Sequence, residues 1–187
     1  MVLPGKIDNG DMLLSELIKV YDNVLPTSAC LSLTNFFDKQ EKISRKSSIA
    51  SFTEINLNNL PSAKNYLNEL VKLQISLFKQ YESELPEKFK LPPLKLFEEF
   101  RLKCYNKNDI FDWHCDVADI TSSKRYLAFL WYLSDVEDNS GKTIFFNNLK
   151  IKPKQGSVVV FPPMWMFPHK GDLVTSKKYI MSSYCNF

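Results

Sequence analysis

The sequence predicts an α+β protein, with helices of the first half packed on one outer face of an antiparallel β sandwich or barrel built by the second. Three observations carry this. Apolar residues recur every three to four positions through "NLPSAKNYLNELVKLQISLFKQYESEL". From residue 94 onward, short β-type runs follow one another with turn signals and no helix between them. The chain has 187 residues, enough for one well-cored domain and short for two. One domain is therefore expected over residues 1–187, with 1–93 mainly helical support and 94–187 the β core.

In chain order, "LIKVYDNVLP" alternates and stops at Pro26, as an opening strand or turn would. "TSACLSLTNFFDKQEK" reads as a helix with Thr27 or Ser28 as N-cap. "ISRKSSIASFTEINL" is polar and then β-leaning, a loop running into a short strand. The long helix follows, with Pro61 and Ser62 at its start and Leu67, Leu70, Leu73, Ile75 and Phe78 on its apolar face. The β-type segments are "LKLFEEFRLKCYN", "KRYLAFLWYL", "KTIFFNN", "LKIKP", "GSVVVFPP" and "KKYIMSSYCNF". "NKND", "SDVEDNSG", "KPKQG" and "HKGD" read as the turns.

Composition narrows the function classes. Net charge is +3 with the lysines spread along the chain, so nothing favours a nucleic-acid partner. No apolar run approaches about 18 residues, so no spanning helix is expected. The opening "MVLPGKIDNGDMLLSELIKV" lacks the features of a secretory signal. Four cysteines, Cys30, Cys104, Cys115 and Cys185, form no C-x-x-C pair. Free thiols and a cytoplasmic location are the expectation.

The chain has two histidines. His114 lies in "DIFDWHCDVAD" with Asp116 two places on. In an extended segment their side chains point the same way and Cys115 points away. Two imidazoles and one carboxylate on one face of a metal leave three positions open, the mark of non-haem Fe(II) oxygenases. His169 is the one imidazole left to complete such a set. An H-x-D tripeptide alone is a weak signal. Its context is stronger: His114 is expected to end a strand beginning at "RLKCY", and His169 follows the buried-strand run "GSVVVFPPMW".

Over about residues 95–187 the sequence resembles the prolyl 4-hydroxylase-like Fe(II)/2-oxoglutarate-dependent dioxygenases. The resemblance lies in the order and spacing of Tyr105, His114-Cys115-Asp116, "RYLAFLWYL" from Arg125 to Leu133, and "SGKT" with Gly141 and Thr143. It continues through "PKQGSVVVF", His169, and Lys178 before Tyr179. The resemblance implies a double-stranded β-helix, a jelly roll, holding Fe(II) through His114, Asp116 and His169. It further implies 2-oxoglutarate as co-substrate, with Lys178 on the far carboxylate, Tyr132 donating to that carboxylate, Tyr105 beside it and Thr143 on the wall. Strand alternation lets only one of Lys177 and Lys178 face inward, and Tyr179 after it favours Lys178. O2 is the oxidant and ascorbate an accompanying reductant.

The implied reaction hydroxylates an unactivated C–H, most directly a prolyl residue of a peptide or protein, and releases succinate and CO2. Arg125, Trp131 and Trp165, together with Trp113, are the candidates to meet such a substrate. The same chemistry on a small molecule or nucleobase is an alternative, and a non-catalytic jelly-roll binding protein is another. Three departures from the family pattern bear on the substrate: "NKND" replaces a Pro- and Gly-containing turn, Lys142 stands in "SGKT" where Glu is usual, and the spacing from His169 to Lys178 is at the short end of the family's range. In the first of these, Asn106 or Asn108 is expected to take a left-handed conformation.

Overall fold

The computed structural model describes residues 13–87 and 89–187. The stretch read as lacking a secretory signal lies, over residues 1–12, outside the described residues. No helix among the described residues is long and apolar enough to cross a membrane.

In chain order the elements are β1 (Lys19–Tyr21), α1 (Thr27–Asp38), β2 (Ile43–Lys46), β3 (Ser51–Asn56), α2 (Lys64–Ser83), β4 (Leu96–Phe97) and β5 (Arg101–Tyr105). There follow β6 (Phe111–His114), β7 (Arg125–Tyr132), β8 (Thr143–Phe145), β9 (Lys150–Ile151), β10 (Val158–Phe161), β11 (His169–Gly171) and β12 (Lys178–Asn186). They form two antiparallel sheets. The larger runs β1-β10-β7-β12-β5-β3-β2, with β4 also on β12, and the smaller runs β6-β11-β8-β9.

Strand alternation divides the core in two. On one face of the large sheet, Leu102, Phe129, Trp131, Val158, Val160 and Met181 meet the apolar faces of both helices. On the other, Ala128, Tyr132, Val159, Phe161, Ile180 and Tyr184 meet Phe145, Ile151 and Phe167 from the smaller sheet and the loop before β11. The strand β12 lies at the centre and all nine of its residues are buried. This is the jelly-roll sandwich that the sequence predicts.

Particular elements depart from expectation. Pro26, not Thr27 or Ser28, caps α1, and no side chain bonds the helix start; proline's fixed φ turns the chain into the helix unaided. The polar run before β3 is not a loop but β2, an edge strand exposed at all four residues. "HKGD" is no turn either, since its first three residues form β11 between β6 and β8. "RLKCY" and His114 belong to two strands in different sheets, separated by the "NKND" turn, where Asn108 takes φ +70°. In α2 the buried face is Leu70, Gln74, Leu77, Phe78 and Tyr81, while Ile75 is exposed. The first 93 residues, expected to be mainly helical, also supply three strands of the large sheet.

Trp131 has 0% exposure and packs beneath the helices. It is therefore withdrawn as a substrate contact, because its neighbours Leu130 and Tyr132 turn to the opposite face.

Gly156 fixes the turn that joins β9 to β10. Its φ is +83°, and a Cβ there would collide with the Leu25 carbonyl oxygen. Its own carbonyl accepts from Val24 and Leu25 N–H at 2.8 and 3.0 Å, tying the chain before α1 to the sheet. Gly156→Ala is expected to destabilise the fold by about 2 kcal/mol, read as a lower urea midpoint.

Candidate active site

Two strands and one loop bring the ligand set together. In the β6–β11 register His114 lies opposite His169, so both rings fall on one side of the small sheet. The strand β6 ends at His114, and Asp116 is placed by contacts of the loop rather than by strand alternation. Its N–H donates to Pro163 O at 3.2 Å, and its carbonyl accepts from Arg125 Nη1 at 2.8 Å. The Asp116 carboxylate then stands 3.6 Å from His114 Nε2 and 3.7 Å from His169 Nε2. One ligand atom from each residue lies within 4.8 Å of the others. Cys115 takes no part in this cluster.

The donor chemistry suits a divalent metal. A carbonyl can only accept, so His114 Nδ1–H donates to Asp112 O (2.8 Å) and His169 Nδ1–H to Phe167 O (3.1 Å). Both Nε2 lone pairs are thereby left free and aimed at the carboxylate. Burial holds His169 below its ordinary pKa despite the opposing charge of Asp116, which keeps the imidazole neutral. Burial alone would raise the Asp116 carboxyl. The nearness of His114, with the fields of His169 and Lys103, outweighs it and holds the group well below the usual carboxylate range. Two imidazoles and a carboxylate are the set that a non-haem Fe(II) site requires. The rings are also held sterically: His114 stacks on Phe111 at 3.6 Å between centroids, and His169 contacts Phe145 and Phe161.

At the other end of the same cavity lies Lys178, the first residue of β12 and 4% exposed. Its ammonium donates to Gly141 O and sits 5.7 and 5.6 Å from the Tyr105 and Tyr132 ring centroids. No carboxylate pairs with it among the described residues. Burial pushes its pKa down to about 8, with Asp172 partly opposing. Tyr132 donates to Thr143 Oγ1 at 2.6 Å, and both are buried. Gly141 has φ +63°, and a Cβ there would press on Lys178 Cδ at 3.2 Å, so a glycine suits the "SGKT" turn on both counts. Lys177 points away and pairs with Asp38 at 3.2 Å.

Of the residues read as facing a substrate, only Arg125 borders this region. It holds Glu98 through two 2.8 Å bonds and lies 4.1 Å from the Tyr184 ring centroid, so it anchors the loop carrying Asp116. Trp113 stands under Lys170 at 5.3 Å, on the side of the small sheet facing away from the cavity. Trp165 is 76% exposed and is not part of the cavity lining. Lys103, Ser182 and Tyr184, which sequence reasoning missed, do line it. Two-residue alternation from Tyr105 and Lys178 would have found all three.

Residues 100–186 match the family model described as the 2OG-Fe(II) oxygenase superfamily. A prolyl hydroxylase from Trichoplax adhaerens, in complex with a hypoxia inducible factor oxygen degradation domain peptide fragment, is similar in structure. It has a TM-score of 0.74 and 14% identity over 91% of this chain and 83% of that one. A Pseudomonas putida prolyl-4-hydroxylase gives 0.69 and 15% identity, over 91% and 92% of the two chains. The viral collagen prolyl hydroxylase of Paramecium Bursaria Chlorella virus-1, in its 2OG complex, gives 0.66 and 20%, over 90% and 95%. No curated protein matched by sequence. The fold is the one these prolyl hydroxylases share, and the family match spans the β core that carries the His-Asp-His cluster and Lys178. Together they support a 2-oxoglutarate-dependent Fe(II) dioxygenase, prolyl 4-hydroxylase-like in fold.

Because Arg125 holds the Asp116 carbonyl and Glu98 together, removing its guanidinium should loosen the carboxylate arm. Arg125→Gln is expected to weaken Mn(II) binding about tenfold in an electron paramagnetic resonance titration. The melting temperature, measured alongside, reports any general loss of fold.

Proposed function

We propose that His114, Asp116 and His169 bind Fe(II), that Lys178 with Tyr132, Thr143 and Tyr105 receives the far carboxylate of 2-oxoglutarate, and that the enzyme hydroxylates a prolyl residue of a peptide or protein. One observation carries the reading: a single cavity has the His-Asp-His cluster at one end and a buried ammonium with no carboxylate partner at the other. A buried charge without a counter-ion is costly, and a ligand anion relieves that cost.

Bound there, Fe(II) with O2 and 2-oxoglutarate supplies the oxidising power for C–H hydroxylation, with succinate and CO2 as co-products. Each side chain has a separate task. The two Nδ1–H bonds hold the histidine rings in the ligating tautomer. Lys178 sets how deep the co-substrate sits, and Tyr132 and Thr143 offer hydroxyls beside it. Phe145, Phe161 and Phe111 keep bulk water from the ligand faces. The prolyl substrate is supported by the fold shared with three prolyl hydroxylases, one of them holding a peptide. We place the whole of 1–187 in one domain, since strands from both halves share the large sheet. The four cysteines are free, which fits a reducing cytoplasm.

The direct test is succinate formation from 2-oxoglutarate with Fe(II) and ascorbate, with and without proline peptides. Peptide-stimulated turnover and a 16 Da gain on proline, roughly the mass of one oxygen, are the expected result. His114→Ala should lower turnover by on the order of a hundredfold or more. Turnover without any peptide response would remove the peptide assignment and leave the co-substrate chemistry standing.

A pH effect follows from Lys178. Its folded-state pKa is depressed to about 8, so the ammonium is present below that pH and lost as pH rises through it. Affinity for 2-oxoglutarate is expected to be flat below this point and then to fall about tenfold per unit, measured anaerobically by calorimetry. Lys178→Met should abolish this slope and raise the dissociation constant by roughly 10- to 100-fold.

A further inference from the structure

The cavity contains a second cation that neither the ligand cluster nor the co-substrate end uses. Lys103 lies two residues before Tyr105 on β5, so both face the cavity. In the register it stands beside Ile180 of β12 and Glu54 of β3. Glu54 is already engaged by Arg45 at 2.8 Å and Arg101 at 3.7 Å. The Lys103 ammonium rests 5.2 Å from the Phe52 ring centroid and makes no hydrogen bond or ion pair among the described residues. Burial disfavours its charged form, and the fields of Asp116 and Glu54 only partly oppose that.

Ser182 is the second observation. It lines the same cavity, is 6% exposed, and its Oγ has no hydrogen-bond partner. In the antiparallel β5–β12 pair it is the diagonal neighbour of Lys103. Such neighbours stand roughly 7–8 Å apart, a gap that a lysine side chain and a small acid bridge together. The other cation nearby, Arg125, is already saturated by Glu98 and the Asp116 carbonyl. One ammonium and one hydroxyl match the two oxygens of a carboxylate, whereas a phosphate would call for a fork or several cations.

We propose that Lys103 and Ser182 bind a carboxylate of the substrate, so that this enzyme acts on an acidic peptide with an Asp or Glu side chain beside the hydroxylated residue. The peptide part rests on the function proposed above; the carboxylate site does not.

The test compares two short proline peptides that differ only in Asp or Asn beside the proline, using kcat/KM for each. Wild type is expected to favour the Asp peptide by on the order of tenfold or more. Lys103→Met should bring that ratio close to one by slowing the Asp peptide, Ser182→Ala should bring it part of the way, and Lys103→Arg, which keeps the charge, should retain the preference. An unchanged ratio in Lys103→Met overturns the proposal. So does a KM for 2-oxoglutarate that rises in step with the loss, since Lys103 would then hold the co-substrate.

If wild type hydroxylates neither peptide, the peptide reading fails and binding decides the site alone. Calorimetry under nitrogen then compares N-acetyl-aspartate with N-acetyl-asparagine on protein loaded with Fe(II) and 2-oxoglutarate. Tighter binding of the aspartate compound, lost in Lys103→Met, upholds the carboxylate site; equal binding refutes it. L-proline against prolinamide, run the same way, separates sources. A Lys103-dependent preference for L-proline alone would assign the carboxylate to a free amino acid and overturn the acidic peptide.

Discussion

The pairing of β6 with β11 is the contact on which the rest of the site depends. It sets His114 against His169, residues far apart in the chain. The same strand β11 also pairs with β8, which carries Thr143 and Phe145. The smaller sheet therefore positions both imidazoles, one aromatic wall and one hydroxyl of the co-substrate end. A slip of one residue in that register would turn His169 outward and bring Lys170 in.

Electrostatics explain why the cavity is poised rather than merely shaped. Its described charged groups are one carboxylate, Asp116, and two ammonium groups, Lys103 and Lys178, with Arg125 at the edge already neutralised by Glu98. Burial penalises the three charges inside the cavity, and of these only Asp116 has close partners that more than repay it. A divalent cation bound at the proposed site would add positive charge beside Asp116 and make the cavity still more receptive to anions. A metal and a dicarboxylate would then support one another's binding through charge balance. The two lysines stand on neighbouring strands, β5 and β12, so two different acids could be held apart in one space.

Much of this was legible in the sequence, and the failures have physical causes. Periodicity separates the helical half from the β half because an amphipathic helix and a half-buried strand repeat differently. The cluster of His114, Asp116 and His169 was legible because the chain has only two histidines, and the inward face of Lys178 because strand alternation admits only one of Lys177 and Lys178. Trp131 misled because strand alternation, not residue type, decides which face of a sheet a tryptophan meets. The "HKGD" run misled for a related reason: glycine and aspartate signal turns locally, yet Gly171 is paired on both sides, with β6 and with β8. Asp116 was placed beside the histidines on a geometric ground that the structure replaces, for its position is set by Pro163 and Arg125 rather than by an extended strand.

The half of the chain outside the matched region is part of the site in a way its helical content conceals. Phe52, on β3, lies 5.3 Å from Tyr105 and 5.7 Å from Phe111, and Phe111 in turn stacks on His114. An aromatic series thus runs from an N-terminal strand, past Tyr105, to the His114 imidazole. Ser51 beside it donates to Asp109 at 2.7 Å, which also accepts from the Asn106 N–H at 2.8 Å and so clamps the turn leading into β6. The β2–β3 hairpin that carries these residues places Arg45 and Glu54 next to Lys103. The strand β2 is exposed and ends the large sheet, so this wall is held from one side only. Residues 94–187 would supply every proposed ligand yet lack Phe52, the ring beside Phe111, and Glu54, the carboxylate that pairs with Arg101. The site is therefore a property of the whole sheet.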